Sequence, residues 1–212
     1  MVINAQKTQL LCVSDANYCK TKSYIVADNK KIESVEEMKI LGFVFGTNSS
    51  VTTHINYCIN KFNRAIWSLT HLKRANINQG ILVEVFKVML RPILEYCSAV
   101  YSSMLTKELE ARLEKQQRRA LNIIFGFGIS YEDLLIRANT TTMAERREVA
   151  CSNFAKSLVN SERFGAFFPE QVYPEDAAVT RNRKTYREDF ARSSRLYNSP
   201  LYSMRRFLNQ NA

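Results

Sequence analysis

The chain has 212 residues, of which 46% are hydrophobic, and it carries a formal net charge of +10 with a pI near 9.5. This length suits one ordinary domain or one and a half small ones, and the apolar content excludes a wholly disordered chain. The basic excess favours a polyanionic partner, with nucleic acid ahead of an acidic membrane surface. The most apolar window, residues 81–101, contains four charged side chains, which are too many for a lipid-spanning helix.

The cysteines and the N-terminal residues indicate the compartment. Five cysteines, an odd number with no C-x-x-C spacing, indicate neither a disulfide framework nor a zinc ribbon, and the simplest expectation is reduced thiols. The first residues do not have the basic and then apolar pattern of a signal peptide. We therefore expect an intracellular protein, nuclear or cytoplasmic, with no membrane partner. His54 and Cys58 lie one helical turn apart, but two ligands fall short of a zinc site, and no metal site is predicted.

Residues 9–46 have the composition of strands. An apolar run at 9–15 is followed by a hairpin over 23–35 with its turn at 28–30. A third run, 39–46, predicts one strand with Gly42 inside it, as a bulge or a close backbone approach. So few short strands predict the edge of a sheet whose other strands lie elsewhere.

The pattern becomes helical from Thr52. Apolar residues recur every three or four positions and predict a helix over about 53–75, then a loop at 76–80. Residues 81–101 predict a mostly apolar helix that Pro92 kinks or splits near Arg91. Strands followed by about five helices predict an α+β fold that is predominantly α.

A basic amphipathic helix is predicted over residues 107–125, with Thr106 as its N-cap. Glu108 and Glu114 each lie four residues before an arginine, which favours helical ion pairs. Ser130 is expected to cap a short helix at 131–138, and 142–160 predicts the last long helix. Candidate contacts to nucleic acid are the basic residues on the outer face of the first helix and at the start of the last: Arg112, Lys115, Arg118, Arg119, Arg146 and Arg147.

The C-terminal segment 180–206 holds more than half of the net charge. Eight basic residues stand against two acidic ones, and four aromatic residues are interleaved with them. One interpretation is a solvated basic tail. The other is a segment that lies along a nucleic-acid strand, where its arginines neutralise phosphates and its aromatics stack on bases. The basic residues are Arg181, Arg183, Lys184, Arg187, Arg192, Arg195, Arg205 and Arg206. Of these, Arg181, Arg183 and Lys184 are candidate contacts to nucleic acid.

A series of short motifs runs through the chain in a fixed order. They are NAQKT at 4–8, KILGFV at 39–44, THI at 53–55, RPILEY at 91–96, LEKQQRRA at 113–120, YEDLL at 131–135, ERR at 145–147 and SSRLYNSP at 193–200. In content and order they resemble the reverse transcriptases of non-LTR (LINE-type) retrotransposons, which are RNA-directed DNA polymerases. Each motif alone is weak, and the resemblance depends on their order over essentially the whole chain.

The resemblance implies a division of the chain and roles for a few residues. It implies that residues 1–48 are the end of a polymerase palm, 50–160 a helical thumb with connecting helices, and 161–212 a basic C-terminal extension. Lys7 would lie near the incoming nucleotide as an auxiliary catalytic group, and Gly42 and Phe43 at the primer grip. The alternatives are a solvated lysine, a strand bulge and an ordinary core aromatic. The implied partners are RNA and DNA in a primer–template duplex, with the missing palm and fingers of the polymerase as a further candidate.

One feature of the family is lacking. Its two-metal site uses aspartates, including a [YF]-x-D-D loop just before N-x-x-K-T, to hold two Mg²⁺ ions. This chain has five aspartates and no adjacent pair. We therefore expect no cofactor in this chain and no polymerase activity from it alone, as in a C-terminal part of such an enzyme. A free-standing helical module for protein association and a general basic nucleic-acid-binding protein remain as alternatives.

Overall fold

The computed structural model describes residues 7–13, 24–27, 30–47, 50–173 and 183–210. The chain divides into two compact units, residues 1–64 and 65–212, with the boundary inside a long helix. Strands occupy the first unit and helices dominate the second. This arrangement confirms the predicted α+β class with predominant α-structure. The division at 48 and 160 that the resemblance implied stays a prediction.

Three of the described strands form one small sheet. They are β1 (Leu10–Leu11), β2 (Tyr24–Ala27) and β3 (Lys30–Val35), in the order β1-β3-β2. β2 and β3 are antiparallel, which confirms the predicted hairpin, although Asp28 and Asn29 of its predicted turn lie outside the described residues. β1 runs parallel to β3, so the sheet is not antiparallel throughout.

The single strand predicted for residues 39–46 is wrong. β4 (Glu37–Ile40) and β5 (Phe43–Gly46) pair as an antiparallel hairpin, and Leu41 and Gly42 form its turn. Both turn residues have positive φ, 49° and 88°, as a two-residue hairpin turn of type I′ requires. Gly42 therefore reverses the chain instead of making a bulge. Leu41 adopts this conformation despite its side chain and is 89% exposed at the tip.

The first long helix was predicted correctly, and at Pro92 the next helix changes its winding. α1 spans Thr52–Arg74, and α2 (Gln79–Val85) continues through a π-helical turn, Phe86–Leu90, into α3 (Arg91–Glu95). A proline has no N–H and its ring collides with the carbonyl four residues earlier. The helix widens directly before Pro92, where the Arg91 N–H bonds the carbonyl of Phe86, five residues back.

The apolar helix predicted to reach Tyr101 instead ends at Glu95. Cys97 has a left-handed backbone with φ of 60°, which no α-helix can contain. α4 (Ser98–Tyr101) and a 3₁₀ turn (Ser102–Met104) follow. The Tyr101 hydroxyl donates to the Leu94 carbonyl at 2.6 Å and so provides a partner for one carbonyl at the interrupted end.

The three helices that follow agree with the sequence prediction to within about a residue. They are α5 (Lys107–Phe125), α6 (Tyr131–Arg137) and α7 (Met143–Val159). Thr106 and Ser130 cap α5 and α6 through their side chains, as expected. Thr142 forms a capping box with Glu145 at the start of α7. Short polar caps before apolar periodic segments account for this accuracy.

The predicted irregular C-terminal extension contains, in its described part, two α-helices that the prediction lacks. After a 3₁₀ turn (Gly165–Phe167) and α8 (Ser194–Tyr197), α9 spans Pro200–Gln210 and packs against α7 and α4. Its apolar face completes a small core formed by Ala155, Phe168, Met204 and Leu208. The end of the chain is therefore folded onto the helical unit.

The cysteines differ in one respect from the expectation of reduced thiols. Cys12 is disulfide-bonded, so the expectation is wrong there, whereas Cys58, Cys97 and Cys151 are free. Within the described ranges, no helix combines the length and apolarity that crossing a membrane requires.

Candidate nucleic-acid interface

The predicted basic surface of α5 is present on the outside of the helix. Lys115, Arg118 and Arg119 are exposed, and Arg112 is half-buried beside them. We call Lys115, Arg118 and Arg119 the α5 basic face. The guanidinium of Arg118 lies 6.0 Å from the centre of the Tyr131 ring, at the limit of a cation–π contact. Successive basic residues at helical spacing place positive charge along one side, as a phosphate backbone requires.

Glu114 and Gln117 lie on the inner side of α5 and fasten the following helices to it. The Gln117 amide donates to the Tyr131 hydroxyl at 3.0 Å and to the Thr141 carbonyl at 2.9 Å. Both Glu114 oxygens accept from the backbone N–H of Met143 at 3.1 Å, and the Tyr131 hydroxyl donates to the same carboxylate. Burial, together with the Glu114 carboxylate, raises the pKa of Tyr131.

Two further residues of the predicted motifs meet at a second junction. Arg146 donates two bonds to the Glu95 carboxylate, one of them 3.2 Å long, and the bond to Glu95 raises the pKa of Arg146. Arg91 lies 3.8 Å from the same carboxylate and donates to the Thr140 hydroxyl at 3.2 Å. Burial lowers the pKa of Arg91. The RPILEY and ERR motifs thus contact each other, and Arg146 has an internal partner.

Arg147 is not part of an exposed basic surface. Its side chain is 3% exposed, and one of its guanidinium nitrogens lies 3.5 Å from the Glu110 carboxylate. A phosphate has no access to a buried guanidinium, so the inclusion of Arg147 among the nucleic-acid contacts is corrected. Its place is in the packing of α7 against α5.

The residues expected near a primer grip lie in the first unit. Lys7 is exposed in a turn before β1, and Gly42 lies in the β4–β5 turn. Phe43 is buried, with its ring 4.2 Å from His54 and 4.7 Å from Phe45. The structure therefore makes Phe43 a core aromatic and leaves the exposed turn, with Leu41, as the part of this motif that a ligand can reach.

His54 and Cys58 also have structural contacts. The backbone N–H of Val44 donates to Nδ1 of His54 at 3.4 Å, and Nε2 lies 3.4 Å from the Cys58 sulfur. Because Nδ1 accepts, the ring proton belongs on Nε2 and points to the sulfur. Both ring nitrogens are thereby used to hold the start of α1 against β5.

The arginines of the C-terminal segment divide into exposed and buried ones. Arg181 lies outside the described residues. Arg183 is exposed and stacks on Tyr173 at 4.3 Å, and Lys184 pairs with Glu188 at 2.7 Å. Arg205 is buried, where it donates to the carbonyl of Phe167 and to the carboxylate of Asp189. Arg205 therefore has partners within the protein, and the interpretation in which arginines of this segment neutralise phosphates does not apply to it.

A group on α1 was missed by the sequence analysis. Trp67 is 66% exposed, and its ring centre lies 3.8 Å from that of His71. Trp67, His71 and Arg74 recur at spacings of four and three, so they share one face. The sequence does contain a signal for this group. Trp67 lies off the apolar stripe of a helix that has four Lys or Arg residues and no acidic one.

Comparison of the chain with protein-family models, with curated proteins and with solved structures finds no match.

Proposed function

We propose that the chain binds a nucleic-acid duplex, an RNA–DNA hybrid in the first instance, as the thumb-like part of a non-LTR reverse transcriptase. The ordered motifs support the family, and the net charge of +10 supports a polyanionic partner. Contacts of Lys and Arg to phosphate position a duplex without reading its sequence. Binding of this kind suits a polymerase that must copy any template.

The observation that carries the proposal is the exposure of the α5 basic face beside buried polar contacts. Within two helical turns, Glu114 and Gln117 point inward to fasten α6 and α7, while Arg118 and Arg119 point outward. A rigidly held helix presents its charges in a fixed arrangement, so less conformational entropy is lost on binding. The motif LEKQQRRA then has two parts, one that builds the scaffold and one that meets the ligand.

We assign no residue of this chain to the family's Mg²⁺. In the ranges that the structure describes, no group of three or more His, Cys, Asp or Glu side chains is placed to hold a metal ion. The sequence also has no adjacent aspartates. We derive no catalytic step through a metal, and the proposal is limited to binding.

The test is the affinity for a 20-base-pair RNA–DNA hybrid, measured by fluorescence anisotropy between 50 and about 300 mM salt. We expect log K to fall linearly with log salt, by about 0.9 for each phosphate neutralised. Arg118→Glu with Arg119→Glu should weaken binding at least tenfold and reduce the steepness of the salt dependence by about 2.

The matched control is Lys156→Glu with Arg163→Glu, two exposed basic residues of the same unit. It changes the net charge by the same amount, so any loss that it shares with the first variant is a general charge effect. A smaller loss with an unchanged salt slope is expected for the control. A salt-independent affinity, or equal losses in both variants, would contradict the proposal.

Protein association is a second candidate function, and one observation favours it. Several apolar side chains on the segment from α2 to the end of α3 are exposed: Ile81, Val88, Met89 and Tyr96. Exposed apolar residues that lie together mark surfaces for protein contact. Analytical ultracentrifugation compares the wild-type chain with the double variant Val88→Glu, Met89→Glu. If the chain self-associates through this segment, the particle mass of the double variant is lower than that of the wild type.

A further inference from the structure

We infer that the Trp67–His71–Arg74 face of α1 binds an unpaired nucleobase of a nucleic-acid strand, with Trp67 as the stacking surface. This inference rests on the proposed function for the class of partner but concerns a different helix. The α5 basic face meets phosphates, whereas this face offers an aromatic plane. The two surfaces would therefore make separable contributions to binding.

The exposure of Trp67 is the first observation. An indole is large and apolar, and a Trp that is 66% exposed in a folded helix leaves most of one face in water. The neighbouring Ile66 and Leu69 are buried, so α1 is well packed and Trp67 lies outside its core. A flat apolar surface of this kind is what a nucleobase stacks on.

His71 fixes the orientation of that surface. Its ring centre lies 3.8 Å from the indole centre, with the planes at 52°. The imidazole therefore supports one side of Trp67 from the next helical turn and limits its rotamers. A base that stacks on the open side meets a ring already in place, so little side-chain entropy is lost on binding.

The charge around Trp67 selects the partner. α1 has Lys61, Arg64, Lys73 and Arg74 and no acidic residue in 23 positions. Lys73 donates to the Ile124 carbonyl at the end of α5, at 2.7 Å, whereas Arg74 is exposed on the side of Trp67 and His71. Arg74 lies two helical turns beyond Trp67 on the same face, and an aromatic plane followed by a cation on its long side chain matches a base and a nearby phosphate of the same strand.

The test uses the chain's own reporter, because Trp67 is the sole tryptophan. The full chain is titrated with a twelve-residue oligothymidylate and with an abasic strand of the same length and charge. Stacking predicts quenching of the Trp67 emission by the oligothymidylate and much less by the abasic strand. Equal quenching by both, or none by either, overturns the inference.

Variants give an independent measurement by anisotropy of a labelled oligothymidylate. Trp67→Leu should lose about tenfold in affinity with an unchanged salt slope, because a stack and not a phosphate contact is removed. Trp67→Phe should lose less. Phe167→Leu is the matched control, since Phe167 is an exposed aromatic outside α1 and outside the basic segment 180–206, and this variant should bind like the wild type.

The outcomes separate this inference from the proposed function. In one outcome, binding of the hybrid depends on salt and on Arg118 and Arg119, while Trp67→Leu leaves the affinity for the single strand unchanged. That outcome overturns the stacking site alone. Loss of all salt-dependent binding contradicts the proposed function. A blue shift of Trp67 emission with protein concentration, without nucleic acid, would mean that another copy of the chain covers Trp67, which also overturns the inference.

Discussion

Among single residues, Arg205 connects three parts of the C-terminal segment that the structure describes. Its guanidinium donates twice to the Phe167 carbonyl, at 3.0 and 2.7 Å, and once to Asp189 at 2.9 Å. It thereby joins α9 to the 3₁₀ turn and to the segment before α8. A buried arginine with charge-assisted bonds is a structural residue, and its removal would leave the Phe167 carbonyl unsatisfied.

This contact makes the stability of the C-terminal segment depend on pH. The hydrogen bond from Arg205 lowers the pKa of Asp189 below its ordinary value. A carboxyl with a lowered folded-state pKa stabilises the fold fully above its unfolded pKa, near 4, and the stabilisation is lost as the pH falls through the folded value. Asp189→Asn should therefore lower the melting temperature at pH 7, and the difference from wild type should disappear towards pH 2.

The pH series for Asp189→Asn is compared with that for Glu162→Gln, which changes an exposed carboxylate of the same unit. The Glu162 variant should follow the wild type at every pH. If the difference in melting temperature between Asp189→Asn and wild type stays constant from pH 7 to 2, ionisation of Asp189 does not contribute to stability.

At the scale of elements, the β4–β5 hairpin contains a turn that its sequence fits poorly. Type I′ turns favour Asn-Gly, whereas here the first position is Leu41 with φ of 49°. Leucine in the left-handed region costs about 1 kcal/mol or more, and Asn tolerates it better. We expect Leu41→Asn to raise the free energy of unfolding by about 1 kcal/mol in urea denaturation.

Gly42→Ala serves as the comparison for that variant. Gly42 has φ of 88°, so a Cβ there should destabilise the hairpin by about 1 kcal/mol. If Leu41→Asn leaves stability unchanged or lowers it, the turn is not strained. A stabilised Leu41→Asn with weakened nucleic-acid binding would indicate that the leucine is kept at the tip for contact with a ligand.

Local signals explain which elements could be predicted. α5, α6 and α7 begin at Thr106, Ser130 and Thr142, whose hydroxyls satisfy the first free N–H groups, and such caps are visible in sequence. The β4–β5 hairpin was missed because Leu-Gly is a weak turn signal between two apolar runs. α9 was missed because its polar residues Arg205 and Asn209 are satisfied by contacts distant in sequence.

The candidate site was predicted less completely than the helices. Periodicity placed Lys115, Arg118 and Arg119 outside α5, and the structure agrees. Periodicity could not show that Arg147 is buried against Glu110, because an ion pair between α7 and α5 depends on tertiary packing. Basic residues near a helix start look alike in sequence whether they meet solvent or a carboxylate.

At the scale of the whole molecule, the net charge of +10 predicts that a polyanion stabilises the folded chain. A ligand that binds only the folded state at 100 times its Kd adds about 2.7 kcal/mol to the unfolding free energy. For a chain of this size that corresponds to a rise in Tm of about 5–10 °C. We expect the RNA–DNA hybrid to produce such a rise at 50 mM salt and to lose it at about 500 mM.

The comparison for the melting measurement is heparin, a polyanion without bases or duplex form. A rise in Tm with the hybrid that exceeds the rise with heparin at equal charge supports recognition of the duplex. Identical shifts would reduce the interaction to net charge, and no shift with either would contradict binding to the folded chain.

The π-helical turn at Phe86–Leu90 sets the rotation, about the helix axis, of every residue that follows it in the helix. A hydrogen bond that spans five residues instead of four accommodates one extra residue in the turn. An α-helix advances about 100° per residue, so this one residue sets the direction in which α3 points its side chains. Deleting Val88 would return the segment to α-helical winding and turn Leu94 out of the core and Glu95 away from Arg146. The widened turn thus acts as a one-residue spacer that brings the two halves of the helix into register with different neighbours.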